Sequence, residues 1–167
     1  MKISKENVLL LLLALILSLP IYADLLADIS IVHVVATNCS AASWEGFNIS
    51  SSGTIVEAEE DISIDTYRGL KSLTARLSIN GEPVILTLVI GDDSEFSPMK
   101  ALESLDGDGL NLIYSRPALY NGTEAAYGRF KYDGEDMYIL TGSVEEAKVL
   151  LIAPDKEMFN DVWVVPE

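Results

Sequence analysis

One cysteine, Cys39, stands in the whole chain, so no disulfide can form within it. Histidine is equally scarce. With His33 alone beside Cys39, the ligand sets of zinc and haem sites cannot be assembled. Basic residues are few: 11 lysines and arginines against 26 aspartates and glutamates give a net charge of −15. Nucleic-acid binding draws on a basic surface that releases counterions, and this chain cannot offer one overall. The same deficit argues against docking on anionic lipid headgroups. Neither a Gly-x-Ser-x-Gly elbow nor a Walker or dinucleotide glycine loop is present.

Long apolar runs are also missing, with one exception that falls short of a span. Val8–Leu19 is apolar but for Ser18, whereas a spanning helix needs about 20 such residues. Lys2 and Lys5 precede the run, Pro20 breaks it, and Ile21-Tyr22-Ala23 places a small residue before Asp24. Basic, apolar, helix break, small residue is the order of a secretory signal peptide. The expectation is therefore a signal peptide over residues 1–23, followed by a single exported acidic domain over 24–167. The alternative is an uncleaved membrane anchor that also uses Leu25 and Leu26. Without Lys2, Lys5 and Glu6, residues 24–167 carry nine basic and 25 acidic side chains, net −16. That length suits one domain with a real core. Three sequons, at Asn38, Asn48 and Asn121, are glycan acceptor candidates in an exported chain.

The pattern beyond the leader is mostly that of strands. Residues 29–37 are rich in β-branched side chains and read as a strand, with His33 a half-buried structural histidine in it. Residues 38–53, with Ser50-Ser51-Ser52-Gly53, read as loop, and residues 54–65 as a strand with acids on one side. Asn80-Gly81 predicts a two-residue type I′ hairpin that pairs Leu77 with Val84, Ala75 with Leu86 and Leu73 with Leu88. Asp133-Gly134 predicts a second, pairing Phe130 with Met137 and Gly128 with Ile139 on one face, Lys131 with Asp136 on the other. Ala147–Ala153 reads as a strand buried on both faces.

Two short helices are predicted. The first, over about 97–106, has Ser97 as cap, Pro98 in the first turn, Met99, Leu102 and Leu105 buried, and Gly107 as the stop. The second, over about 155–163, has Met158, Phe159, Val162 and Trp163 on one side. Hairpins with two helices imply an α+β domain: an antiparallel sheet covered on one face.

Acids are abundant, but abundance guarantees close pairs and so says little about catalysis. Asp106-Gly107-Asp108-Gly109 opens like a calcium loop, yet Leu110 and Pro117 fill positions where an EF-hand needs oxygen ligands. Asp92, Asp93, Asp106 and Asp108 are the weak calcium candidates; Asp and Gly also belong in turns for backbone reasons. Tyr114, Tyr120, Tyr127, Tyr132 and Tyr138 crowd the second half. Tyr127 and Tyr138 share the hairpin face opposite Phe130 and Met137. They form the candidate binding surface unless a helix lies over them.

These readings point to an exported, non-enzymatic domain acting at or outside the cell surface, by binding or as an envelope component. No catalytic residue, resident metal or cofactor is assigned, and the partner is an unidentified protein or surface component rather than nucleic acid or anionic lipid. Two alternatives stand beside it: an exported carboxylate-dependent hydrolase, and a signal-anchored subunit of an envelope assembly.

Overall fold

The computed structural model describes residues 30–63, 70–91 and 95–167. Strands β1 (Ser30–Trp44), β2 (Phe47–Ser63), β3 (Leu70–Ile79) and β4 (Glu82–Ile90) form one antiparallel meander. Helix α1 (Pro98–Glu103) precedes a second meander of β5 (Leu110–Tyr120), β6 (Thr123–Tyr132), β7 (Glu135–Val144) and β8 (Ala147–Ala153). The meanders join through their last strands, giving the order β1-β2-β3-β4-β8-β7-β6-β5. A 3-10 helix (Lys156–Asp161) then leads into β9 (Val162–Pro166), which pairs with the first residues of β2. Among the described residues, no helix is long and apolar enough to cross a membrane.

The two hairpins predicted from Asn80-Gly81 and Asp133-Gly134 are present in the predicted register. Both turn residues take positive φ in each case, 53° and 82°, then 48° and 82°. Such φ values match the twist of the flanking strands. Glu45-Gly46 and Asn121-Gly122 make two further turns of the same kind.

The expected antiparallel sheet dominates the fold, which is β-rich, and helix is confined to two short segments. The first expected helix shrinks to six residues, with Pro98 at its start and Leu102 and Leu105 buried. Ser97 holds the cap position but makes no capping hydrogen bond through its side chain. The second is one short 3-10 stretch. Val162 and Trp163, expected on its apolar side, instead open β9, where Val162 and Val164 are buried and Trp163 and Val165 exposed. That alternation belongs to a β-branched strand, and the period of two overrides a helical reading based on a few apolar residues. Residues 38–53, expected as loop, are strand on both sides of the Glu45-Gly46 turn. Phe47, Ile49 and Ser51 alternate inward with Asn48 and Ser52 outward, so the pattern was there under serines of low strand propensity.

The β1–β2 hairpin bends back on itself. Thirteen residues of straight strand would put Phe47 about 40 Å from Glu60. Yet the Trp44 indole Nε1 donates to Glu60 Oε1 at 3.0 Å, and Lys71 Nζ reaches Glu45 Oε1 at 2.8 Å. Register shifts at Val34/Ala36 and Cys39/Ala41 in β1 and at Ile55/Glu57 in β2 supply the bend. Gly53 makes it sterically feasible: a Cβ there would lie 2.0 Å from the Ser78 carbonyl oxygen.

The folded-back end and β9 close over the inner face of the sheet. Trp44, Phe47, Ile49, Val162 and Val164 form one core with Leu73, Leu77, Leu86, Leu88, Leu140 and Leu151. At the far side, buried Tyr120 donates to the Val162 carbonyl at 2.9 Å, which ties β5 to β9. A second core lies on the outer face, where α1 covers Phe130, Ile139, Leu150 and Ile152 with Leu102 and Leu105. Thr141, buried on that face, donates to the Pro98 carbonyl at 2.7 Å and pins the start of the helix.

Candidate functional site

Helix α1 packs on the Phe130, Met137 and Ile139 side of the second meander, so it does not lie over Tyr127 and Tyr138. Those two tyrosines are on the inner face, partly buried against the main core, at the end that β9 does not reach over. Cross-strand pairing sets their neighbours. Arg129 stands opposite Tyr138 on one side and Tyr114 on the other, and Tyr127 stands opposite Arg116. Residues opposite one another share a face, so three tyrosines and two arginines converge.

The contacts follow from this placement. Tyr114 and Tyr127 meet edge to face, with ring centroids 6.3 Å apart and planes at 86°. The Arg116 guanidinium lies 5.3 Å from the centre of the Tyr114 ring, and Lys156 Nζ lies 6.0 Å from that of Tyr127. Arg129 Nη2 donates to Asp136 Oδ2, and Lys131 stands opposite Asp136 in the next pair. Arg129 Nε is buried and has no hydrogen-bond partner among the described residues. Partial desolvation, then the neighbouring Tyr138 and Tyr127, hold the Tyr114 phenol above its ordinary value. The hydrogen bond from Arg129 holds Asp136 below the usual carboxylate value of 3.8.

Tyr120 and Tyr132 are structural. Tyr120 bonds to β9, and burial pushes its phenol up. Tyr132 is buried under α1 on the outer face.

Elsewhere the candidate residues disperse. Glu57, Glu59 and Asp61 alternate along the outer face of β2, while Glu60 points inward to Trp44. Asp106 Oδ1 accepts from the Leu112 amide at 2.8 Å, and Asp108 takes φ 50° in the same turn. Asp92 and Asp93 lie outside the described residues. Among the described residues, no group of three or more His, Cys, Asp or Glu side chains could hold a metal ion. His33 is exposed rather than half-buried, because β1 lies at the edge of the sheet and leaves Val32 and Val34 57% and 63% exposed. Cys39 is a free, partly buried thiol.

The three sequons sit in different settings. Asn38 is exposed at the irregular stretch of β1, with φ 49°. Asn48 is exposed and accepts from the Ser43 hydroxyl at 2.9 Å. Asn121 is a hairpin tip whose Nδ2, the atom a glycan would use, donates to the Val164 carbonyl at 2.7 Å.

The sequence reading missed Arg116, Arg129 and Lys156. Taking Asn121-Gly122 as a turn, and not only as a sequon, places Tyr127 opposite Arg116 and Arg129 opposite Tyr114 by register alone. Lys156 has no such signal, because its position depends on how the 3-10 helix packs. The chain matches no family model, no curated protein and no solved structure.

Proposed function

We propose that this chain is an exported, non-enzymatic domain that binds a partner at or outside the cell surface through the Tyr114–Tyr127–Tyr138 patch. The observation that carries this reading is the convergence of three partly exposed tyrosines with Arg116, Arg129 and Lys156 on a face that α1 leaves open. Amphipathic rings beside charged donors suit recognition, since the ring supplies contact area and the donors supply direction. The N-terminal order of basic, apolar, Pro and small residues supports export.

Comparative retention tests the reading. The full chain, a Tyr127→Ala/Tyr138→Ala variant and a far-side Glu57→Gln/Glu59→Gln control are immobilised and exposed to the native envelope fraction. A component held by the first and third and lost by the second is expected. Equal retention by all three would sink the assignment of this face.

The outer edge of β1 favours a second reading, as a subunit of an envelope assembly. It has no partner strand among the described residues and exposes Val32 and Val34. Such edges template pairing with another chain, although the irregular stretches of β1 blunt this one. Cross-linking from position 34 in the native envelope would detect that neighbour.

A further inference from the structure

We propose that the tyrosine patch takes an acidic oligosaccharide, with sugar rings against Tyr114, Tyr127 and Tyr138 and carboxylates or sulfates paired with Arg116, Arg129 and Lys156. The proposal rests on the reading of this face as the binding surface, and it names the ligand chemistry.

Charge comes first. The chain carries −15 overall, yet Arg116, Arg129, Lys131 and Lys156 gather on or beside this one face. An anion is repelled by the acidic row of Glu57, Glu59 and Asp61 on the outer face of β2 and steered here. Asp136 neutralises part of the group through Arg129, and Glu157 Oε1 lies 3.9 Å from Lys156 Nζ in a looser, exposed pair.

Hydrogen bonding points the same way. A guanidinium presents five donors in a fixed fork, and Asp136 engages one edge of the Arg129 fork. Nε is buried and closed to an arriving ligand, but the Arg129 side chain is 39% exposed, so its other donors can meet a carboxylate or sulfate on the open side.

The rings then choose between kinds of anion. A pyranose has an apolar C–H face and a polar rim, which matches a tyrosine face bordered by cations. Arg116 and Lys156 already lie near ring faces at 5.3 and 6.0 Å, close to the outer limit of a cation–π contact. Both are exposed, so they can swing onto an arriving anion and uncover the rings. An acidic peptide is the weaker fit. Peptides gain most by adding a strand at a sheet edge. β6 and β7, which carry Tyr127, Arg129 and Tyr138, are hydrogen-bonded to strands on both sides, while β5, which carries Tyr114 and Arg116, is an end strand whose edge lies beyond those rings. A ligand lying across Tyr127 and Tyr138 meets side chains, not free backbone.

Calorimetric titration of the full chain at low salt tests this with four probes: oligogalacturonate, a sulfated oligosaccharide, a neutral cello-oligosaccharide and polyglutamate. Binding of an acidic saccharide is expected, at least about tenfold tighter than the neutral one and weakened by salt. Tyr127→Ala and Arg116→Gln should each weaken it about tenfold or more, and Glu57→Gln should not. Arg116 and Lys156 are exposed, so Arg116→Gln and Lys156→Gln remain informative if a variant at a partly buried position fails to fold. Three outcomes would overturn the proposal: no binding of either acidic saccharide, equal binding of the neutral one, or polyglutamate binding as tightly and indifferent to Tyr127→Ala. Component retention lost only in the tyrosine variant, together with no saccharide binding, would discard the ligand class and keep the surface. Unchanged retention would discard the surface itself.

Discussion

The two meanders have the same number of strands, the second joined by two-residue turns throughout and the first by two such turns and a longer link over 64–69, yet they bury opposite faces in different ways. In β1–β4 the inner face is roofed by the chain's own folded-back hairpin and β9, while the outer face carries Glu57, Glu59 and Asp61. In β5–β8 the outer face is roofed by α1, and one end of the inner face keeps its tyrosines and cations partly open. The difference comes from the connections. A six-residue helix placed between β4 and β5 packs on the Phe130 and Ile139 side. The other side of that meander is then left to whatever the C-terminal segment can reach, which is the part near Val144 and Leu140. Charge follows the same division, acids on one half's outer face and cations at the other half's open end. An average of −15 therefore describes neither face.

The comparison can be broken hardest at Gly53. Its Cβ would collide with backbone at Ser78 and Ile79, which cannot move without disturbing the β3–β4 hairpin. Gly53→Ala is expected to cost about 3–5 kcal/mol, read as a fall in the urea midpoint. Next is Leu102→Ala under the second meander. Leu102 is fully buried among Phe130, Ile139 and Leu150, and its truncation should cost about 2–4 kcal/mol. Both should lower one cooperative transition with an unchanged slope, because the β4–β8 ladder and the shared core join the halves. Two separate transitions would show instead that the meanders are independent units.

A third test is milder and local. Gly81 sits at φ 82° with open space around it, so Gly81→Val meets backbone strain and no collision. About 1–2 kcal/mol is expected, smaller than at Gly53 although both are glycines in the first meander. An unchanged melting temperature would mean that the turn does not set the register there.

Legibility in the sequence was as uneven as the two halves. Hairpins signalled by Asn-Gly and Asp-Gly were readable to the residue, because φ at the tip and alternation along the arms specify the same register. Glu45-Gly46 gave no comparable signal, and the serines around it hid the inward alternation of Phe47 and Ile49. The short helices were over-read because a few apolar residues fit a helical period as easily as half a strand. Of the site, Tyr127 and Tyr138 and their shared face were legible from local pairing. Which face would be roofed was not, since that depends on tertiary packing of α1, and neither was the position of Lys156 over Tyr127.

The smallest expected effect probes the ion pair at the open end. Asp136 has its folded-state pKa lowered, first by the hydrogen bond from Arg129, from an ordinary value near 3.8. A carboxyl with a depressed folded value binds its proton less readily when folded than when unfolded, so it adds stability while ionised. That contribution is fully present above the unfolded value, near 3.8, and is lost as pH falls through the lower folded one. Asp136→Asn removes it, so the melting temperatures of the two proteins should differ slightly at pH 6 and draw together as pH falls below 3.8. The pair is exposed and screened, so the gap at pH 6 should also shrink in high salt. The variant also frees Arg129, which raises the positive charge of the tyrosine patch without touching a ring. If that face takes anions, Asp136→Asn should lose a little stability and bind an acidic saccharide more tightly. A loss of both would mean that Asp136 positions Arg129 for the ligand instead of competing with it.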